Sequence, residues 1–155
     1  MELSGNKGIG NILKIFLQIC FYGGIIILIG LPFALNMVGL NLNASMYVIY
    51  PNGIVMLAII YKFIQLFNSL KNNNPFCEDN IKIQKSAAKL AIVESAFWLL
   101  DLLYSMILVK SEDIILILGL GFLSVLFFGV SIALYILSEL FKQAYEYKEE
   151  NDLTI

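Results

Sequence analysis

Three ionisable side chains, Lys62, Glu94 and Asp101, stand in stretches that are otherwise apolar. A charge in hydrocarbon is costly, so each such group is expected to be paired, neutralised or functional. Glu94 and Asp101 are seven residues apart, which on a helix brings them to nearly the same face. Two carboxyls so placed are suited to binding a proton or cation; the plainer role is hydrogen bonding between helices. Lys62 and Glu94 fall at matching depth, roughly 8–10 Å from the inner boundary at ~1.5 Å per residue. An ion pair across adjacent antiparallel helices is expected, with the lysine snorkelling to headgroups as the alternative. Asp101 lies roughly 20 Å into its span by the same rise, with no basic residue at its depth. A neutral carboxyl there can donate a hydrogen bond, and Ser124, Tyr22, Asn36 and Ser105 are the candidate partners.

Other chemistry is removed by composition. The chain has no histidine, and all ten of its basic residues are lysine. His-based triads and the commonest zinc sites are excluded, as is a bidentate guanidinium clamp for phosphate. A net charge of −2 leaves no footprint for direct nucleic-acid binding. With carboxylates inside spans and no nucleophile–base pair in view, no enzyme is expected, and no metal or cofactor is implied. Cys20 and Cys77 form no CxxC pair, and a disulfide between a span and a cytosolic loop is not expected.

The elements that must position these groups follow from where charge is missing. The 155 residues are 59% hydrophobic and 14% charged, against about 25% charged in a soluble domain. No charged residue falls between Lys14 and Lys62, or between Asp113 and Glu139. Each gap exceeds the roughly 20 apolar residues that one helical span needs. Four spans are predicted, at about 12–33, 46–67, 88–109 and 114–138. Alternation with period two is absent, which excludes a transmembrane barrel. The first segment is too apolar for too long to be a cleaved signal peptide. Nine lysines gather on one side and Lys110 stands alone on the other. The positive-inside rule then predicts both termini in the cytoplasm. The expected fold is all-α: a polytopic four-helix membrane bundle forming one domain, with lipid as its main partner and a plasma membrane as its place. The Ile/Asn/Lys-rich, Arg-free composition points to an AT-rich bacterial genome.

The inner loop opens with Asn74 and Pro75, a good N-cap followed by proline at the first helical position. Glu78 and Asp79 then favour the positive end of the helix dipole. Lys82, Lys85 and Lys89 make one basic stripe, while Phe76, Ile83, Ala87 and Leu90 lie on another face. An amphipathic helix at the inner surface, about 75–87, is expected to run on into the third span. The stripe is read as an anchor to headgroups, or as a docking face for a partner. Smaller signals are the pair Gly129 and Ala133, read as a close-packing ridge in the fourth span; Ala87, Ala91 and Ser95, a second such ridge in the third; and Tyr47, Tyr50 and Tyr61, read as interfacial or interhelical aromatics. The tail 139–155 is expected to be a helix carrying five acids against two lysines, folding back on the basic loop or meeting a protein.

The loop Asn74-Pro75-Phe76, followed by Asn80, and the ending Asn151-Asp152-Leu153-Thr154-Ile155 together resemble the bacterial integral membrane family known as domain of unknown function 2975. Four spans with both ends inside fit that resemblance, which covers nearly the whole chain. Lysines replace the arginine that members often carry after the loop, so a role needing a guanidinium does not transfer. The resemblance brings no catalytic residues. Because members are often encoded beside a small helix-turn-helix regulator, it implies a regulatory accessory with a cytoplasmic regulator as partner. A small transporter or an antimicrobial-peptide immunity protein using Glu94 and Asp101 is the competing expectation.

Overall fold

Helices account for almost all of the chain. The computed structural model describes residues 4–37, 42–70, 77–107 and 113–152. They form α1 (Ser4–Met37), α2 (Leu42–Leu70), α3 (Glu78–Ile107) and α4 (Ile114–Asp152). All four are long and apolar enough to cross a membrane, and their exposed surfaces are lined with Ile, Leu and Phe. Such a surface fits lipid as solvent and would drive aggregation in water. Each expected span lies within one of these helices, except that Leu108 and Val109 fall outside the described residues.

α3 and α4 both extend past their apolar stretches. α3 is a single helix from Glu78, so residues 78–87 of the expected 75–87 element belong to the same helix as the third span. The start at Asn74 and Pro75 lies outside the described residues, whereas Glu78 and Asp79 do occupy the first turn. The carbonyl of Cys77 accepts from the backbone N–H of Asn80 and Ile81 and closes that turn. The tail belongs to the same helix as the fourth span: α4 has 39 residues, about 58 Å at ~1.5 Å per residue, and Glu139 of the tail meets Lys85 of the basic stripe. Asp113 caps α4, its Oδ1 accepting from the backbone N–H of Ile115 at 3.0 Å and Leu116 at 3.2 Å.

Packing follows chain order among the described residues: α1 on α2, α2 on α3, and α3 on α4 along the longest seam. Among the described residues α1 and α4 make no contact, so each helix packs on its neighbours in chain order. The α1–α2 crossing is built on two reciprocal fits. Leu57 of α2 seats over Gly24 of α1, and Leu28 of α1 seats over Gly53 of α2; a Cβ added to Gly53 would lie 2.5 Å from Leu28 Cδ2. Without hydrophobic driving force in lipid, this sort of close van der Waals fit is what holds helices together.

The α3–α4 seam is small and polar. Ser95 Oγ donates to the carbonyl of Ser124 at 2.9 Å, Ser124 Oγ donates back to the carbonyl of Ser95 at 3.1 Å, and Ser131 Oγ donates to the carbonyl of Ala88 at 2.9 Å. Ala87 and Ala88 pack with Leu134, flanked by Phe63 and Val130. The ridge Ala87, Ala91 and Ser95 is buried, as its small side chains require. On α4, however, the buried line is Ser124, Ser131 and Ser138, spaced by seven. Gly129 and Ala133 face outward, and a Cβ on Gly129 meets nothing within 4 Å. The close-packing ridge expected there is on the wrong side of the helix. Contacts such as Ser95–Ser124 with Ala88–Ser131 show the pair to be antiparallel, as are α1–α2 and α2–α3. The start of α1 and the end of α4 therefore lie on the same side of the row of helices.

Candidate functional site

The intramembrane polar groups converge on the α2–α3 interface, though not in the expected pairs. Lys62 does not meet Glu94. Its Nζ donates to Gln65 Oε1 on its own helix at 3.2 Å, while Glu94 Oε1 accepts from the indole Nε1 of Trp98 one turn along α3 at 3.0 Å. The expected match in depth does not hold in the observed register, where Asn52 meets Asp101 and Phe63 meets Ala87 and Ala88. α2 turns Asn52, Ile59 and Ile64 inward, and Lys62 lies off that line.

Asp101 does make an interhelical hydrogen bond, with a partner that was not among the candidates. Asn52 Nδ2 on α2 donates to Asp101 Oδ2 at 2.8 Å, so the carboxyl accepts where it was expected to donate. Of the four expected partners, Ser124 is engaged with Ser95, Tyr22 is exposed, Asn36 is exposed, and Ser105 is buried with Asp101 one turn before it. The sequence did carry a sign of the true partner: Asn52 follows Pro51 inside an apolar span, where an amide without a function or a partner is costly.

Glu94 is 1% exposed, and its second oxygen, Oε2, has no hydrogen-bond partner. It is among the residues lining a cleft of about 360 Å³ formed by α1, α2 and α3. Cys20 and Gly24 line it from α1, Asn52 and Met56 from α2, and Glu94 and Trp98 from α3. Apart from Asn52 and Glu94 the walls are apolar. Cys20 and Cys77 are both free thiols, and the described residues hold no group of three or more His, Cys, Asp or Glu side chains placed to bind a metal ion.

At the other end of α3 the basic stripe is divided. Lys82 pairs with Glu78 on its own helix at 3.0 Å. Lys85 reaches α4 and pairs with Glu139 at 3.5 Å, and Lys89 is exposed. Lys142 lies between Glu139 and Glu146, so charge is neutralised locally along the α4 extension. Asn80 is fully buried beside this junction. Asn74, Pro75 and Phe76 of the loop motif, and Leu153, Thr154 and Ile155 of the ending, lie outside the described residues; Asn151 and Asp152 are the last residues of α4.

A family model described as protein of unknown function (DUF2975) matches residues 32–155. The chain belongs to this family. The DUF2975 match takes in α2, α3, α4 and the last turns of α1, somewhat less than the resemblance read from the motifs. It includes Asn52, Glu94, Trp98 and Asp101 and excludes Cys20 and Gly24, so the α1 wall of the cleft is outside it. No curated protein and no solved structure matches the chain.

Proposed function

We propose that this protein is a non-enzymatic regulatory accessory of the bacterial plasma membrane, with both ends in the cytoplasm, that holds or reports to a small helix-turn-helix regulator. The observation that carries this reading is the continuity of α3 and α4 from span to extension. Serine–carbonyl bonds stitch the pair inside the membrane, and the Lys85–Glu139 pair joins it at the end where α4 continues. A shift of α3 would be carried to the outlying part of α4 without a hinge. The lysine balance supports placing that part in the cytoplasm. The choice of regulator follows the family association, which is an associational warrant.

Removing residues 139–155 tests it. The shortened chain keeps its four spans and is expected to stay in the membrane. Transcription from the target of the helix-turn-helix regulator proposed as its partner should change as in a full deletion. Unaltered regulation by the shortened chain would refute the role. The second reading, a small transporter or immunity protein, draws on Glu94 and on the Asn52–Asp101 pair in the spans. It predicts the reverse: function that survives loss of the tail and fails on Glu94→Gln.

A further inference from the structure

We propose that the α1–α2–α3 cleft is a binding site for a protonated lipophilic amine, with the ammonium on Glu94 and the apolar body between α1 and α2. The inference goes beyond the regulatory role and does not depend on it.

Four observations define the ligand. The cleft holds about 360 Å³, within the roughly 300–1,000 Å³ of small-molecule sites. Its walls are apolar, from Gly24 and Leu28 on α1 to Met56 and Leu57 on α2. Ile27 is 64% exposed and Met56 41%, so the cleft opens sideways, where a solute dissolved in the bilayer can enter without crossing water. On α3, the Trp98 indole fixes one oxygen of Glu94 and leaves Oε2 buried with no partner.

An unpaired buried acceptor costs free energy until a donor reaches it. A lipid acyl chain would fill the cleft and leave Oε2 unpaired. An anion would meet a carboxylate. Water would satisfy Oε2 but would also wet apolar walls that offer it little else. A protonated amine meets both demands: its N–H donates to Oε2, its charge offsets the carboxylate, and its hydrocarbon body covers the walls.

Trp98 is the only tryptophan in the chain, so its fluorescence reports on this cleft alone. Full-length protein in zwitterionic lipid nanodiscs is titrated with adamantan-1-amine, and with adamantan-1-ol as a neutral probe of similar shape. The amine should change the emission saturably at a fixed amount of lipid. The alcohol, and the amine on Glu94→Gln, should bind about tenfold or more weakly, the usual scale for losing a charged hydrogen bond. Cys20→Phe keeps Glu94 but fills the α1 side, and should also weaken binding by tenfold or more. A response that does not saturate and scales with lipid overturns the proposal, as does equal affinity for amine and alcohol, or unchanged affinity in Glu94→Gln. If Glu94→Gln does not fold, Cys20→Phe decides: unchanged affinity there overturns the site.

Discussion

The hydroxyl of Tyr50 on α2 donates a 2.9 Å hydrogen bond to the carbonyl oxygen of Leu28 on α1. Four residues after Leu28 comes Pro32, inside the same helix. Proline has no backbone N–H, so the Leu28 carbonyl has lost its helical donor. In hydrocarbon no water replaces it, and the neighbouring helix must. Tyr50 supplies the missing proton beside the place where Leu28 itself seats over Gly53. A break in one helix and a polar ring on the next are thus two halves of one contact.

Tyr50→Phe should therefore destabilise the α1–α2 pair by ~0.6–2 kcal/mol, the range for hydrogen bonds between membrane helices. The measurement is unfolding in mixed micelles. The same change made on Pro32→Ala should cost less, because residue 32 then offers its own N–H to Leu28. Equal costs in both backgrounds would mean that Tyr50 acts by packing alone.

The Asn52–Asp101 bond gives a second test. Asp101→Asn retains an oxygen that accepts from Asn52, and should cost less than removal of the donor. Asn52→Leu removes the donor and leaves the Asp101 carboxyl without it; a loss of ~1–3 kcal/mol is expected, the cost of a buried polar group left unmet. Thermal unfolding in detergent reads both. Full biological function in Asp101→Asn would also exclude a proton relay through this residue.

How far these contacts could be read from the sequence depends on which physical quantity each needs. The four helices needed only the absence of charge over long runs, and Lys14 to Lys62 and Asp113 to Glu139 supply it plainly. The register between neighbouring helices and the rotation about each axis were not legible. Asn52 stands against Asp101 and Phe63 against Ala87 and Ala88, which sets Glu94 nearer Ile59 than Lys62, and Lys62 bonds Gln65 on its own helix. The same uncertainty put Gly129 and Ala133 in the seam, when small size says that a face permits close approach but not which face is used. The signal that would have chosen the right one is the period of seven in Ser124, Ser131 and Ser138, because a heptad stays on one side of a helix. Asn52 was legible too, as an amide in an apolar span on the element next to its partner's.

The two small-residue ridges should accordingly respond in opposite ways to bulk. Ala91 is fully buried between α3 and its neighbours, so Ala91→Leu is expected to cost ~1–3 kcal/mol by overpacking. Gly129→Leu meets open space and should be neutral or slightly stabilising, since leucine is the better helix former. Melting curves of the two variants side by side decide it; if Gly129→Leu is the damaging one, the seam has been assigned to the wrong face of α4.

The Lys85–Glu139 pair is where α3 and α4 leave their apolar stretches together, and both side chains are more than a third exposed, at 36% and 42%. Solvent screens such a pair, and its share of stability should be only ~0.2–1 kcal/mol. Its importance is positional. Lys85→Glu places two acids face to face and should loosen the junction, while adding Glu139→Lys restores opposite charges in reversed order. Cysteine cross-linking between residues 81 and 138, both buried at this level, measures the loosening directly. The rate should fall in Lys85→Glu, recover in the double exchange, and converge among all three proteins at high salt, where the charges no longer sense each other. If instead the rate is the same in every variant at low salt, the serine seam alone sets the spacing of the two helices, and the ion pair is a passenger on it.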